Sequence, residues 1–202
     1  MAMGRPREFD VDQALDRALD VFWRNGYEGT SISDLTAAMR INPPSLYAAF
    51  GNKAGLYRKA LDRYVERRTN FWNEALDAPT ARGMVEHLLR ESADFLTEEC
   101  NPPGCMLVRG ALSCSEAEEA LQRELTERRT VGEVKLRERL ERAKAERAMP
   151  EDLDPADYAR YIMVVLQGMS VSAAGGATRK DLHKVADMAL RAWPAEAGVP
   201  VR

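Results

Sequence analysis

The chain is poor in the residues on which catalytic and metal sites depend. Among its 202 residues it has 2 histidines, His87 and His183. Neither stands in an HExxH, GxSxG or phosphate-loop pattern. An enzyme is therefore not expected, and neither is a cofactor or a bound metal. The 3 cysteines, Cys100, Cys105 and Cys114, form no CxxC pair. An odd count without a pairing framework fits a reducing cytoplasm rather than a disulfide scaffold. No apolar run reaches the roughly 18 residues of a membrane span, so no membrane partner is expected. The first residues, "MAMGRPREFD", lack an apolar h-region and read as no signal peptide. Aromatics are only 7%, but hydrophobic residues reach 45% and charged ones 30%, enough for a sizeable core in a soluble protein. The length suits one domain or two small ones.

A net charge of −3 does not announce a nucleic-acid partner. Residues 1–70 are nevertheless the more basic part, with 11 Lys and Arg against 9 Asp and Glu; the remainder holds 18 against 23. Arg5 and Arg7 form a basic tip that reads as a DNA-binding arm or an ordinary solvated terminus.

Periodicity predicts helices and almost no strands. Leu15, Leu19 and Phe22, flanked by Ala14, Ala18 and Trp23, mark an amphipathic helix from Val11 to Asn25, stopped by Gly26. Ser31 and Asp34 resemble a capping box ahead of a short helix over 32–39. A turn at Arg40, Ile41 and Asn42 leads to a third helix ending at Phe50. Asn52 can cap a fourth, over 53–76. Met84, Leu88 and Phe95 mark a fifth. "NPPG" interrupts the chain at 101–104, and "CMLVRGAL" is short and apolar. Residues 116–147 read as a long charged helix. The stretch 157–174 is apolar nearly all round, and a last helix ends near Trp193. The fold class predicted is all-α, with about nine helices.

Helix, tight turn and short helix form the helix-turn-helix layout. "INPPSLYAAFGNK", residues 41–53, fits its recognition helix. Leu46 and Phe50 share the inward face, leaving Ser45, Ala48 and Ala49 outward and Tyr47 at the edge. Small side chains let a backbone approach a groove, where an alanine methyl meets a thymine methyl and hydroxyls reach bases or phosphates. Lys53, in the first turn of a helix, opposes the macrodipole unless an anion sits beside it. The start of the third helix has two registers. Either Asn42 is the cap, or Pro43 is the cap and Pro44 is first in the helix.

"GYEGTSISDLTAAMRINPPSLYAAFGNKAGLYRKAL" resembles the N-terminal domain of the TetR family of transcriptional regulators, through Gly26–Tyr27, Thr30–Ser31, Ile32, Leu35, Leu46–Tyr47, Phe50, Lys53 and Leu56. The resemblance covers about the first 65 residues. One departure is Arg40, where the family usually has Gly. Either that turn differs here, or Arg40 recovers the cost of a left-handed residue at a phosphate. The resemblance implies a helix-turn-helix domain over residues 1–55 and a helical ligand-binding and dimerisation domain over 56–202. It implies a ligand-responsive regulator, usually a repressor, that binds a palindromic double-stranded operator as a homodimer and is released by a small-molecule effector. By family position Ser31, Ser33, Pro43, Pro44, Ser45, Tyr47, Ala48 and Lys53 are the DNA contacts. Arg40, and a basic arm at Arg5 and Arg7, would add to them.

The effector pocket is less legible. Met84, Leu88, Phe95, Cys105, Met106, Arg109, Tyr158, Tyr161 and Met169 are read as its lining; the same residues serve equally as plain core. An alternative regulator would respond to thiol chemistry or metal through Cys100, Cys105 or Cys114. For the dimer, Val164, Val165 and Met169, with Leu182, Val185 and Leu190 of the last helix, are read as the surface that a second copy covers.

Overall fold

The computed structural model describes residues 9–113 and 119–193. Arg5, Arg7 and Cys114 lie outside the described residues. Among those described, all regular structure is helical: α1 (Val11–Asn25), α2 (Ile32–Met39), α3 (Pro43–Phe50), α4 (Lys53–Leu76), α5 (Ala81–Leu96), α6 (Met106–Ser113), α7 (Glu119–Ala145), α8 (Pro155–Ala174) and α9 (Arg179–Arg191). The long seventh helix is described from Glu119 onward and ends two residues earlier than its charge pattern predicts.

Helix starts follow from local chemistry. Asp10, Ser31, Asn42, Asn52, Thr80, Asp154 and Thr178 each cap a helix by accepting a backbone N–H, which satisfies a donor that the first turn leaves orphaned. The Ser31–Asp34 box is complete in both directions. The two hydrogen bonds from Ser31 pull the exposed Asp34 carboxyl below its ordinary range.

The first four helices pack around Leu19, Phe22, Leu35, Leu46, Leu56 and Leu61, all closed to solvent. α4 then leaves this head and runs into the body, where it packs on α5. It is tied to α1 by Arg63–Asp16 at 3.0 Å and Arg67–Asp16 at 3.0 Å. It meets α7 through Arg58–Glu124 at 2.7 Å and Arg128–Asp62 at 2.7 Å. The body is a bundle in which α5 packs on α8 and α9, and α7 on α8.

One buried contact joins head and body without passing along α4. The Trp23 indole N–H donates to the Gly104 carbonyl at 2.9 Å. Gly104 has φ +89°, and a Cβ there would lie 2.9 Å from the Ser170 carbonyl oxygen. Only glycine takes that conformation in that space. The next residue, Cys105, donates its N–H to Ser170 Oγ at 2.8 Å. The head therefore rests on a short loop whose other side is held by α8.

Candidate nucleic-acid interface

The α2–α3 unit presents a polar, small-residue face because its apolar residues are spent inward. Leu35, Met39, Leu46 and Phe50 are buried. Ser31, Ser33, Arg40, Pro43, Pro44, Tyr47 and Ala48 are exposed, and Ser45 and Lys53 are partly so. Tyr47 keeps 48% of its surface open, which is unusual for a large side chain on so short a helix. Eight of the nine expected contacts within the described residues thus share the outside of this unit, and the ninth, Lys53, opens α4 directly after it.

Asn42 is the cap of α3: its side chain accepts the Ser45 N–H at 2.8 Å, with Pro43 and Pro44 in the first two helical positions. Pro43 adopts helical geometry directly before a proline, a disfavoured placement. The outcome is a helix end with no free donor. The prolines have no N–H, Asn42 takes that of Ser45, and Leu46 donates to the Asn42 carbonyl at 3.1 Å. Any contact from this end must come from ring faces and side chains, not from a backbone anion site.

Arg40 is left-handed, with φ 57° and ψ 43°. The tight turn is therefore built in the conformation that favours glycine, with an exposed arginine occupying it. Lys53 is not simply solvated. Its Nζ stands 4.3 Å above the Tyr27 ring, a cation–π contact that holds the ammonium beside the start of α4. The backbone there is already capped, since Asn52 accepts the Gly55 N–H at 2.8 Å.

The body holds a cavity of about 150 Å³ between α4, α5, α7 and α8. Its wall departs from the expected one. Of the residues expected there, Cys105 lines it. Met84, Leu88, Met106, Tyr158 and Met169 are instead closed into the helical core. Phe95 packs on Trp23, at 5.7 Å between ring centroids. Arg109 donates to the Arg24 carbonyl, bracing α6 against α1. Tyr161 faces outward. The reason is physical: strongly apolar residues are drawn to closed packing, so a hollow is left to mixed side chains. The lining that sequence reasoning missed includes Arg68, Trp72, Ser92, Arg129, Gly132 and Met163. Its signal lay in two stripes at helical spacing, Val65–Arg68–Thr69–Trp72 and Arg128–Val131–Gly132–Lys135, each carrying cations along the cavity and its rim.

Cys100 and Cys105 are free thiols, one exposed and one buried. Local desolvation and the Glu98 carboxylate push the Cys100 thiol up, away from the reactive thiolate. No group of three or more His, Cys, Asp or Glu side chains suited to a metal occurs among the described residues.

On α8 and α9 the expected dimer residues divide. Met169, Leu182 and Leu190 are buried within the chain, and Val165 is partly so. Met169, Leu182 and Leu190 complete the subunit's own core, while Val165 keeps part of its surface open. Val164 and Val185 are exposed at 60% and 42%. With Tyr161, Val171 and Met188, also exposed, they make an apolar face on the outside of both helices.

Residues 14–60 match the family model described as bacterial regulatory proteins, tetR family. The chain is 34% identical over 193 residues to the HTH-type transcriptional repressor ComR of Escherichia coli (strain K12), covering 95% of this chain and 92% of that protein. It is 38% identical over 109 residues to the HTH-type transcriptional repressor BdcR of the same organism, covering 53% of this chain and 55% of that protein. Among solved structures it resembles a cysteine mutant of the TetR family transcriptional regulator CifR complexed with 26-base-pair operator DNA. The TM-score is 0.90 at 44% identity, over 95% of this chain and 100% of that one.

Proposed function

The chain belongs to the TetR family of bacterial regulatory proteins, and on that premise we propose that it is a ligand-responsive transcriptional repressor. It binds a palindromic operator as a homodimer and is released by a small-molecule effector. The observation that carries this reading is the outward face of α3, where Tyr47 and Ala48 stand exposed beyond Pro43 and Pro44. A short helix with small outward residues can enter the major groove, where its side chains read base edges. Ser31, Ser33, Pro43, Pro44, Ser45, Tyr47 and Ala48 are assigned to this contact, with Arg40 and Lys53 on the flanking phosphates and Arg5 and Arg7 as a basic arm.

The exposed apolar face of α8 and α9 supports the dimer. Valines and a methionine left in water on two adjacent helices are stabilised by covering them, and a second copy related by a two-fold axis does so with the same patch. Two heads held by that axis meet half-sites about one helical turn of DNA, or a multiple, apart. No helix among the described residues is long and apolar enough to cross a membrane. The protein's place is with the DNA in the cytoplasm.

Selection from a random duplex library at about 0.15 M salt tests the reading. The expected result is a pseudo-palindromic consensus that Tyr47→Ala no longer enriches. Enrichment of no sequence, with binding that only tracks salt, would overturn it.

A further inference from the structure

The cavity between α4, α5, α7 and α8 has one electrostatic sign. Its wall includes Arg68, Arg128, Arg129 and Lys135 and no acidic residue. Arg128 is neutralised by Asp62 at 2.7 Å and Glu124 at 3.0 Å. Among the described residues no carboxylate pairs with Arg68, Arg129 or Lys135. Arg68 is the deepest-set of these cations in its contacts. Its guanidinium lies 5.7, 5.7 and 5.8 Å from the rings of Tyr64, Phe71 and Phe95. It donates to Cys105 Sγ at 3.5 Å, and sulfur is a weak acceptor; the neutral Tyr64 hydroxyl is its other polar neighbour.

A second observation is independent of charge. Arg68 Nε, Ser92 Oγ and Arg129 Nε are sealed from solvent and have no hydrogen-bond partner. All three residues line this same cavity. Buried donors are normally satisfied, and leaving one unpaired costs roughly 1–3 kcal/mol. Two are N–H groups of guanidinium ions, which can only donate, and a serine hydroxyl can donate as well. The missing partner is therefore an acceptor. The rest of the wall mixes apolar Trp72, Leu107, Met163 and Leu166 with neutral polar Thr69, Asn73, Gln167 and Ser170; the apolar side chains suit an acceptor attached to a largely apolar body.

We infer that the effector is a compact organic carboxylate, its head group on Arg68 with Ser92 and its apolar body against Trp72 and Met163. A cavity of about 150 Å³ is of the size that accepts a benzene-sized group. A planar guanidinium matches a carboxylate through paired hydrogen bonds. The exposed Lys135 at the rim adds attraction for an anion on its way in. The site also touches the joint between body and head. Taking Arg68 away from Cys105 acts next to Gly104, whose carbonyl holds Trp23 of α1. That last step rests on the repressor reading; the binding itself does not.

Calorimetry on the full-length protein with benzoate, hexanoate and benzamide tests the site. Operator shift assays on the same samples test the reading. Benzoate or hexanoate is expected to bind at least about tenfold more tightly than the neutral amide. Arg68→Met, verified as folded by its circular dichroism and melting curve, should reduce that ratio to about one. Arg68→Lys, which keeps the charge, should restore part of it. Should Arg68→Met fail to fold, Ser92→Ala carries the test, with carboxylate affinity expected to fall severalfold and amide affinity to hold. Binding of neither carboxylate by a protein that still binds operator overturns the inference and leaves the repressor reading standing. Equal affinity for acid and amide, or a preference that survives Arg68→Met, also overturns it. A carboxylate that binds through Arg68 in a protein with no operator affinity supports the site and sinks the repressor reading instead.

Discussion

The reading head and the body satisfy their polar groups on different scales. In the head the hydrogen bonds that shape the DNA-facing unit run three residues along the chain: Ser31 with Asp34, Asn42 with Ser45, Asn52 with Gly55. In the body and at its joint with the head the bonds cross the fold. Trp23 reaches Gly104, Cys105 reaches Ser170, and Arg58 reaches Glu124. The body is also where partners are missing, at Arg68, Ser92 and Arg129. A surface made by local capping is rigid before it meets DNA, and so is suited to reading one shape. A hollow held by long-range bonds and left with unpaired donors is stabilised further by whatever fills it, and is suited to being switched.

The largest test of this division lies far from both sites. Val164 is 60% exposed on α8, so Val164→Glu is tolerated within the subunit. Across a dimer interface the same carboxylate is buried without a partner, which costs several kcal/mol. The variant is expected to sediment as a folded monomer. Its operator affinity should fall by about 10²-fold or more, because linking the heads supplies the effective concentration for the second half-site. A dimer with normal operator binding would move the interface away from the α8 and α9 face, and would leave that face without a role.

The same division explains what was legible in the sequence. Helix starts, the capping box and the helix-turn-helix register depend on residues within one turn of each other, and α1 and α2 fall on the residues their periodicity marks. The start of α3 stayed open because both registers of Pro43–Pro44 are locally plausible; the choice is made by an Asn42 side chain that reaches Ser45. The cavity was not legible. Met84 and Leu88 have the apolar spacing of a pocket wall, but that spacing equally suits closed packing, and both have 0% exposure. Arg68 looks like any surface arginine on a charged helix. Only the packing of α4 against α5 and α7 turns it inward.

Trp23→Phe tests the joint between the two regions. The ring and its stacking on Phe95 survive in part, but the Gly104 carbonyl loses its donor inside the fold. An orphaned carbonyl and a smaller ring together predict a loss of about 2–4 kcal/mol, read from urea unfolding. The folded fraction should still bind operator, while its release by effector should weaken. A loss below about 0.5 kcal/mol would mean that the bond transmits little between body and head.

Lys53→Ala probes the rim of the reading face. Removing the ammonium loses its contact with Tyr27, worth about 0.5–1 kcal/mol. It also removes a cation from a helix N-terminus, which returns about 0.3–1 kcal/mol. Stability should therefore change little, and the effect should appear at the DNA. Operator and random duplex should weaken alike, with the salt slope falling by about one unit per head. An unchanged slope would assign Lys53 to the Tyr27 contact alone.

Arg40→Gly is the smallest and the most discriminating change within the head. The native residue sits at φ 57°, ψ 43°, where an L side chain costs roughly 1 kcal/mol and glycine costs nothing sterically. Glycine also loses more backbone freedom on folding, which offsets part of that gain. The expected balance is a stabilisation of about 0.5–1 kcal/mol, measured as a shift in the denaturation midpoint at constant slope. The DNA measurement then separates two roles. If operator affinity is unchanged, the arginine is idle, and the turn carries strain that the backbone N–H groups of Arg40 and Ile41, bonded to Thr36 at the end of α2, hold in place. If affinity falls and its salt dependence flattens, the exposed guanidinium meets a phosphate, and that contact recovers at the operator what the turn gives up in the free protein. A loss of stability on introducing glycine would contradict both, because it would mean that the arginine side chain itself supports the turn.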